Sequence, residues 1–478
     1  MSEANESAEK KEVFAIAHAE TAGLIPRGVP GLSWHILFIA WVAFGAQTFL
    51  KMCVFAIQPV YAEEFGLSAF VVLMFPMVFT VMQAPLSPSL THKTDRLGGG
   101  FSRRHMTILV SMICALAASL ISFKTFSGTG ITFMILVAIC ALFLGPAEPL
   151  VCGMASDWFP MEYRGAALGF HHTGYPWGSF VAGLSISWLL GYYGSGNWRI
   201  CFLLLSLPMA LVCWWTYNVV TLKNQHKLNK ELATSHYHSS LQDEVLPSEI
   251  GDGASRMTKA DAWRLTMKNP TQLIMVINGF LICGSYWVWA GFLPLFIYYV
   301  GGYTAAQTAA YTVVFAITGG LGQIIWGSLS DKIGRKLSFI CIFIWAIVGF
   351  YFMQFALTSI IWLIGAQLFV GFATNAPYPI FYTVAYDIAD RRVKGLAMGF
   401  IDLAFYLGAF LLLLTGGLIE LGGGKTSPTG YYWVLYMLMG IYAIATLLTI
   451  IFTRETKGWY FKHDWAMVSR KSSNIPEL

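Results

Sequence analysis

Five ionisable side chains stand inside long apolar runs: Lys51, Glu148, His171, His172 and Asp402. Near the centre of a membrane helix such a group costs about 2.5–3.5 kcal/mol on insertion scales, so each calls for a compensating role. Lys51 suits an anionic ligand, Glu148 and Asp402 are carboxyls that can take up a proton when desolvated, and the histidines titrate near neutrality. On a 3.6-residue helix Gln47, Lys51 and Gln58 fall within about 40° of one another and form a polar stripe, whereas His171 and His172 project about 100° apart, so at most one faces a shared cavity. In the second half Asn278, Ser285 and Trp289 share one helical face, and Asn375, Tyr378 and Tyr382 another. Such faces can hydrogen-bond a head group while bounding an organic body. Plainer readings stand beside these. Lys51 can snorkel to the surface, Glu148 can accept backbone bonds freed by Pro146 and Pro149, and the aromatics can be packing.

Long apolar helices must position these groups. Of the 478 residues 56% are hydrophobic and only 12% charged, with mean hydropathy +0.60. That composition describes an integral membrane protein and excludes soluble, disordered, disulfide-scaffold and nucleic-acid-binding classes. A hydrocarbon core takes about 20 helical residues per crossing. Twelve runs qualify: 35–58, 68–90, 105–125, 131–156, 164–190, 198–220, 271–300, 304–329, 337–356, 358–385, 394–420 and 431–453. Polar stretches divide the chain into a tail 1–33, a six-helix bundle 34–220, a linker 221–270, a second bundle 271–453 and a tail 454–478. With the N-terminus inside, 26 of the 30 Lys and Arg fall on the cytoplasmic side, which places both termini and the linker there, in a plasma membrane or a bacterial inner membrane. The basic charge is therefore topological and implies no nucleic-acid partner. Residues 1–33 lack an apolar core, so no cleavable signal peptide is expected. All eight cysteines sit singly in apolar runs, with no CxxC and no His at ligand spacing, so neither metal nor cofactor is expected.

The halves repeat. Arg164-Gly-Ala-Ala-Leu-Gly-Phe170 matches Lys394-Gly-Leu-Ala-Met-Gly-Phe400 at an offset of 230, which also pairs Asp157 with Asp387, Pro149 with Pro379 and His172 with Asp402. Between the eighth and ninth runs stands Gly327-Ser-Leu-Ser-Asp331-Lys-Ile-Gly334-Arg335-Lys336. The first half carries Thr91-His-Lys-Thr-Asp95-Arg96-Leu-Gly98, a short insert, then Arg103-Arg104. This resembles the G-x-x-x-D-[RK]-x-G-[RK]-[RK] signature of the major facilitator superfamily, complete in the second copy, with Thr91 replacing the first glycine of the other. The first half is similar to the anion:cation symporter family of organic-anion carriers. Lys51 precedes Pro59 by the eight positions that separate Arg and Pro there, and Gly145-Pro-Ala-Glu148, Trp158-Phe-Pro160 and Arg164-Gly-Ala follow its pattern. Leu50 and Ala141 stand where that family carries an acid and an Arg.

The resemblance implies an all-α membrane protein of twelve helices in two pseudo-symmetric bundles, working as a monomeric secondary carrier and not as an enzyme. Parallel repeats of six helices bind substrate between the halves near the midplane. Lys51, Gln47, Gln58, His171, Asn278, Trp289, Asn375, Tyr378 and Tyr382 are expected at the substrate, and Glu148, Asp402 and His172 in proton coupling. Asp95, Arg96, Gly98, Asp157, Arg164, Gly327, Asp331, Gly334, Arg335, Lys336, Asp387 and Arg391 are expected to pair and separate as a cytoplasmic gate, or more plainly to fix topology. From the helical rise, Lys51 and Glu148 lie about 10 Å apart along the membrane normal, which separates a cation for the substrate from a carboxyl for the proton. The expected activity is proton-coupled symport of a small organic anion, a carboxylate or sugar acid. A proton antiporter of organic cations or drugs and a non-transporting sensor are the other readings. No Walker A, GxSxG, HExxH or EF-hand pattern accompanies the helices.

Overall fold

The computed structural model describes residues 28–87, 89–90, 94, 100–160, 163–235, 263–264, 266–388 and 394–456. In a solvent without hydrogen-bonding capacity a single segment can satisfy its backbone only as a helix, and among the described residues every regular element is helical. The first half holds α1 (Gly31–Ala56), α2 (Gln58–Glu64), α3 (Ala69–Val81), α4 (Phe101–Ile121), α5 (Gly130–Leu144), α6 (Ala147–Asp157), α7 (Arg164–His172), α8 (Gly174–Tyr193) and α9 (Ile200–Val219). After α10 (Leu222–Thr234) the second half holds α11 (Pro270–Leu295), α12 (Ala305–Tyr311), α13 (Phe315–Ile333), α14 (Arg335–Met353), α15 (Ile360–Thr374), α16 (Pro377–Ile388), α17 (Lys394–Leu407), α18 (Leu411–Leu421) and α19 (Pro428–Phe452). Polar caps close helices at the water-facing ends. Ser68 accepts from the Val71 N–H, Ser359 from that of Trp362, and Thr129 with Thr132 and Thr304 with Gln307 form capping boxes.

Among the described residues ten segments are long and apolar enough to cross a bilayer. Two of the twelve expected runs fall outside that set. The second forms a shorter apolar helix, α3, containing Pro76 and giving way to turns at 82–86. In the fifth, α7 and α8 meet at Thr173, and glycines and the histidine pair dilute its hydropathy. The polar stretch read as a linker begins with a helix. In α10, Leu228 and Leu232 lie one turn apart and pack into a cluster with Ile36, Trp158 and Phe159, burial that composition alone does not reveal.

The internal repeat is exact in the helix boundaries around the two midspan breaks. α5 ends at Leu144 and α15 at Thr374, α6 starts at Ala147 and α16 at Pro377, and α7 starts at Arg164 and α17 at Lys394. The cause is local: Pro146 and Pro377 supply no N–H to continue the preceding helix, so each fourth-in-half segment breaks and starts again. The halves meet where α1 faces α11, α3 faces α18, and α8 faces α12 and α13. Small residues allow the approach: the Gly416 side meets the Phe70 backbone, and Gly183 meets Val313. The periphery is apolar, with Leu116, Trp188, Leu211, Ile361 and Ile451 exposed, as suits a lipid-facing surface.

Candidate functional site

Lys51 sits on α1 between the halves and is 4% exposed. Its ammonium lies 4.9 Å from the ring centroid of Tyr175 on α8 and 4.9 Å from that of Trp287 on α11. Among the described residues no carboxylate comes within 4.0 Å of it. The rings around it are themselves held. The Trp287 indole N–H donates to the Phe405 carbonyl at 3.0 Å, and the hydroxyls of Tyr175 and Tyr286 stand 3.4 Å apart, one from each half.

The polar stripe expected on the first span is cut at Ile57, where α1 ends and α2 begins on Gln58. Gln58 is fully buried with neither amide atom partnered, and Gln47 lines a narrow cleft between α1, α4 and α9 with Thr107, Ser111 and Thr216, inside the first bundle. The two histidines part as their spacing requires. His171 is fully buried and stacked on Phe44 at 4.9 Å, both ring nitrogens unpartnered. His172 shares a 2.8 Å hydrogen bond with the Leu168 carbonyl and brings its ring within 5.9 Å of Tyr382 in the other half.

Tyr382 donates to the Asp402 carboxylate, and the Tyr406 hydroxyl, one turn beyond Asp402, faces Glu148. Glu148 lies in the first turn of α6, where the helix leaves backbone N–H groups without intrahelical partners. The carboxyls therefore belong to opposite halves and meet a shared set of tyrosines. Tyr378 packs edge-on against Tyr286 and Phe405 and joins this aromatic wall. The other second-half candidates lie deeper. Asn278 donates to Thr449 at 2.9 Å, Trp289 is enclosed by Phe292, Phe315 and Phe350, and Asn375 is buried against Gly319 with its amide unpartnered.

Of the loop-motif residues, Asp157 accepts from Arg103 at 2.6 Å and from the Gly100 N–H at 2.7 Å, closing a link between α4 and α6. In the second copy Gly334 takes φ 102°, a region that favours glycine, and turns α13 into α14. There Glu455 accepts from the backbone N–H groups of Arg335 and Lys336 at 2.8 and 3.1 Å, and Arg335 donates to Ser330. Glu455 gives no motif signal in the sequence, because it stands 120 residues from Arg335. Among the described residues nothing lies within 4 Å of the side-chain position at Gly327. Arg164, Asp331 and Asp387 lie on α7, α13 and α16, their side chains outside the description, while Asp95, Arg96, Gly98 and Arg391 fall outside the described residues.

At the opposite end of the bundles, polar contacts cross between the halves. Glu63 accepts from Tyr299 at 2.6 Å and from Lys425 at 3.0 Å, and Glu420 accepts from the Phe70 N–H at 3.2 Å. The Tyr299 hydroxyl first, and then Lys425, hold the Glu63 carboxyl below the usual carboxylate range. Beside it burial pushes Glu64 up, and bonds from Arg199 and Trp198 more than offset this, leaving it below that range as well.

The sequence profile of the Major Facilitator Superfamily matches residues 36–316 and 275–471. A glucose-6-phosphate exchanger of Danio rerio is 26% identical over 65% of this chain and 65% of its own length. A hexuronate transporter of Escherichia coli is 20% identical over 88% of this chain and 95% of its own. Among solved structures, the inward-open conformation of the xylose transporter XylE from E. coli superposes with a TM-score of 0.69 at 15% identity, covering 91% of this chain and 99% of that one.

Proposed function

Since the chain belongs to the Major Facilitator Superfamily, we propose that it is a secondary carrier importing a small organic anion, a carboxylate or sugar acid, together with protons. The observation that carries this reading is Lys51, a buried ammonium between the halves with aromatic faces and no carboxylate within 4.0 Å among the described residues. A desolvated cation with no carboxylate in contact is expensive, and an anion entering from water lowers that cost. Hexuronate and glucose 6-phosphate, named for two relatives, are organic anions. The flanking rings of Tyr175 and Trp287 suit a substrate with an organic body.

Glu148 and Asp402 supply the proton sites. Each faces a tyrosine hydroxyl that can bond the carboxyl in either protonation state, so proton uptake does not orphan a buried partner. Termini on the cytoplasmic side of the plasma membrane put the Glu63 end outside. In this state that end is tied by Glu63 and Glu420, and turning outward requires those bonds to break while Arg103–Asp157 and the Glu455 clamp hold each bundle together. The test is uptake into proteoliposomes of a panel of organic acids and bases, under an imposed pH gradient with the membrane potential clamped. Accumulation of an acid with inward proton movement supports the reading, and accumulation of bases against an outward-moving proton overturns it.

A further inference from the structure

We infer that the Lys51–Trp287 contact, with the Tyr175–Tyr286 hydroxyl pair beside it, is a tie between the two bundles that an anion at Lys51 releases. Trp287 is its positioning residue. The inference rests on the reading of Lys51 as an anion site and adds how occupancy of that site reaches the rest of the molecule.

Four residues make the tie, two from each half. Lys51 and Tyr175 come from α1 and α8, and Tyr286 and Trp287 from α11. The ammonium is 4.9 Å from both ring centroids, within the roughly 6 Å over which a ring face attracts a cation. The indole cannot follow if Lys51 moves, because its N–H is bonded to the Phe405 carbonyl at 3.0 Å and its face is flanked edge-on by Tyr286 at 5.2 Å. The hydroxyl pair, at 3.4 Å, is long for an O–H···O bond and adds a second, weak cross-link.

A carboxylate or phosphate bonds an ammonium at about 2.7–2.9 Å and roughly twice as strongly as a neutral acceptor. To make such bonds Lys51 must turn donors away from the ring faces. The cross-bundle attraction is then exchanged for one to the substrate, and the empty site holds the halves more tightly than the filled one. A ligand moves an equilibrium only by binding its states unequally, and this exchange supplies the inequality.

Hydrogen–deuterium exchange on the full chain in nanodiscs tests this, first without ligand and then with an anionic probe. The segments read are 57–70, 296–304 and 418–430, which join the halves at the Glu63 end. Without ligand, Trp287→Leu and Lys51→Gln should speed exchange there by about tenfold, the factor a desolvated cation–π contact supports. Trp287→Phe keeps a ring face and should stay within about twofold of wild type. It also serves as the folding control, with Tyr286→Phe giving a smaller rise. D-Glucuronate as probe should move wild type toward the Trp287→Leu pattern and leave Lys51→Gln unmoved. Wild-type exchange in Trp287→Leu, or equal effects of Leu and Phe at 287, overturns the tie. If uptake depends on Lys51 while exchange does not change, the tie falls and the anion reading stands. If exchange changes while no anion uptake depends on Lys51, the anion-released tie and the anion reading fall together.

Discussion

Lys51, Glu148 and Asp402 carry charge into an apolar interior, and their chemistry divides by surroundings. Lys51 faces rings, whereas each carboxyl faces a tyrosine hydroxyl. Glu148→Gln should therefore uncouple: counterflow exchange of the anion persists, while proton-driven accumulation measured with a pH-sensitive dye disappears. Tyr382→Phe removes the donor to Asp402 and should shift the pH dependence of uptake, leaving Lys51-dependent binding intact. At the other end Glu63 is held below the ordinary carboxyl range in the tied state, first by Tyr299 and then by Lys425. A depressed acid stabilises the tied state above its ordinary pKa and ceases to do so as pH falls through the depressed one. Exchange in segment 296–304 should thus rise at strongly acidic pH, and Glu63→Gln should abolish that rise. The effect is modest because Glu63 is half exposed. The sequence exposed the lone charges themselves, since an ionisable residue in an apolar run is conspicuous. It did not expose the aromatic neighbours of Lys51: Trp287 and Trp289 lie two positions apart on one helix and point in different directions. Periodicity alone did not favour Trp287, which meets Lys51, over Trp289, which packs inside the second bundle.

The helices divide where proline and glycine force them to, and the breaks set the site. Gly145 ends α5 against the span-two turn, and an ideal Cβ there would overlap the Gln83 carbonyl. Backbone cannot yield as a flexible side chain does, so Gly145→Ala should lower the apparent melting temperature in detergent by several degrees and reduce uptake. Gly399→Ala, where nothing among the described residues lies within 4 Å, should be neutral in both measurements. Most spans were legible because twenty apolar residues admit few alternatives to a helix. The exceptions have causes. α3 gives way to turns at 82–86, the stripe from Gln47 to Gln58 is interrupted at Ile57, and α10 is helical because two leucines find a neighbouring cluster, information that a polar composition conceals.

Across the molecule, the repeat at an offset of 230 was readable from matching heptapeptides and recurs in the helix boundaries on either side of the two breaks. What the sequence could not convey is which polar contacts tie the halves, because they join residues hundreds of positions apart, such as Glu63 with Lys425. Alternating access needs those contacts to be few and polar, so that breaking them at one end costs about what forming others regains. Transport as proposed requires Lys51 as the cation that receives the substrate. Its most direct test compares wild type with Lys51→Gln in proteoliposomes, taking up the acid that the wild type transports best under an inward proton gradient. Loss of one charge-assisted bond should lower kcat/KM by roughly 10- to 100-fold, with Lys51→Arg retaining part of the activity. Uptake of that acid by Lys51→Gln at the wild-type rate and affinity would contradict it.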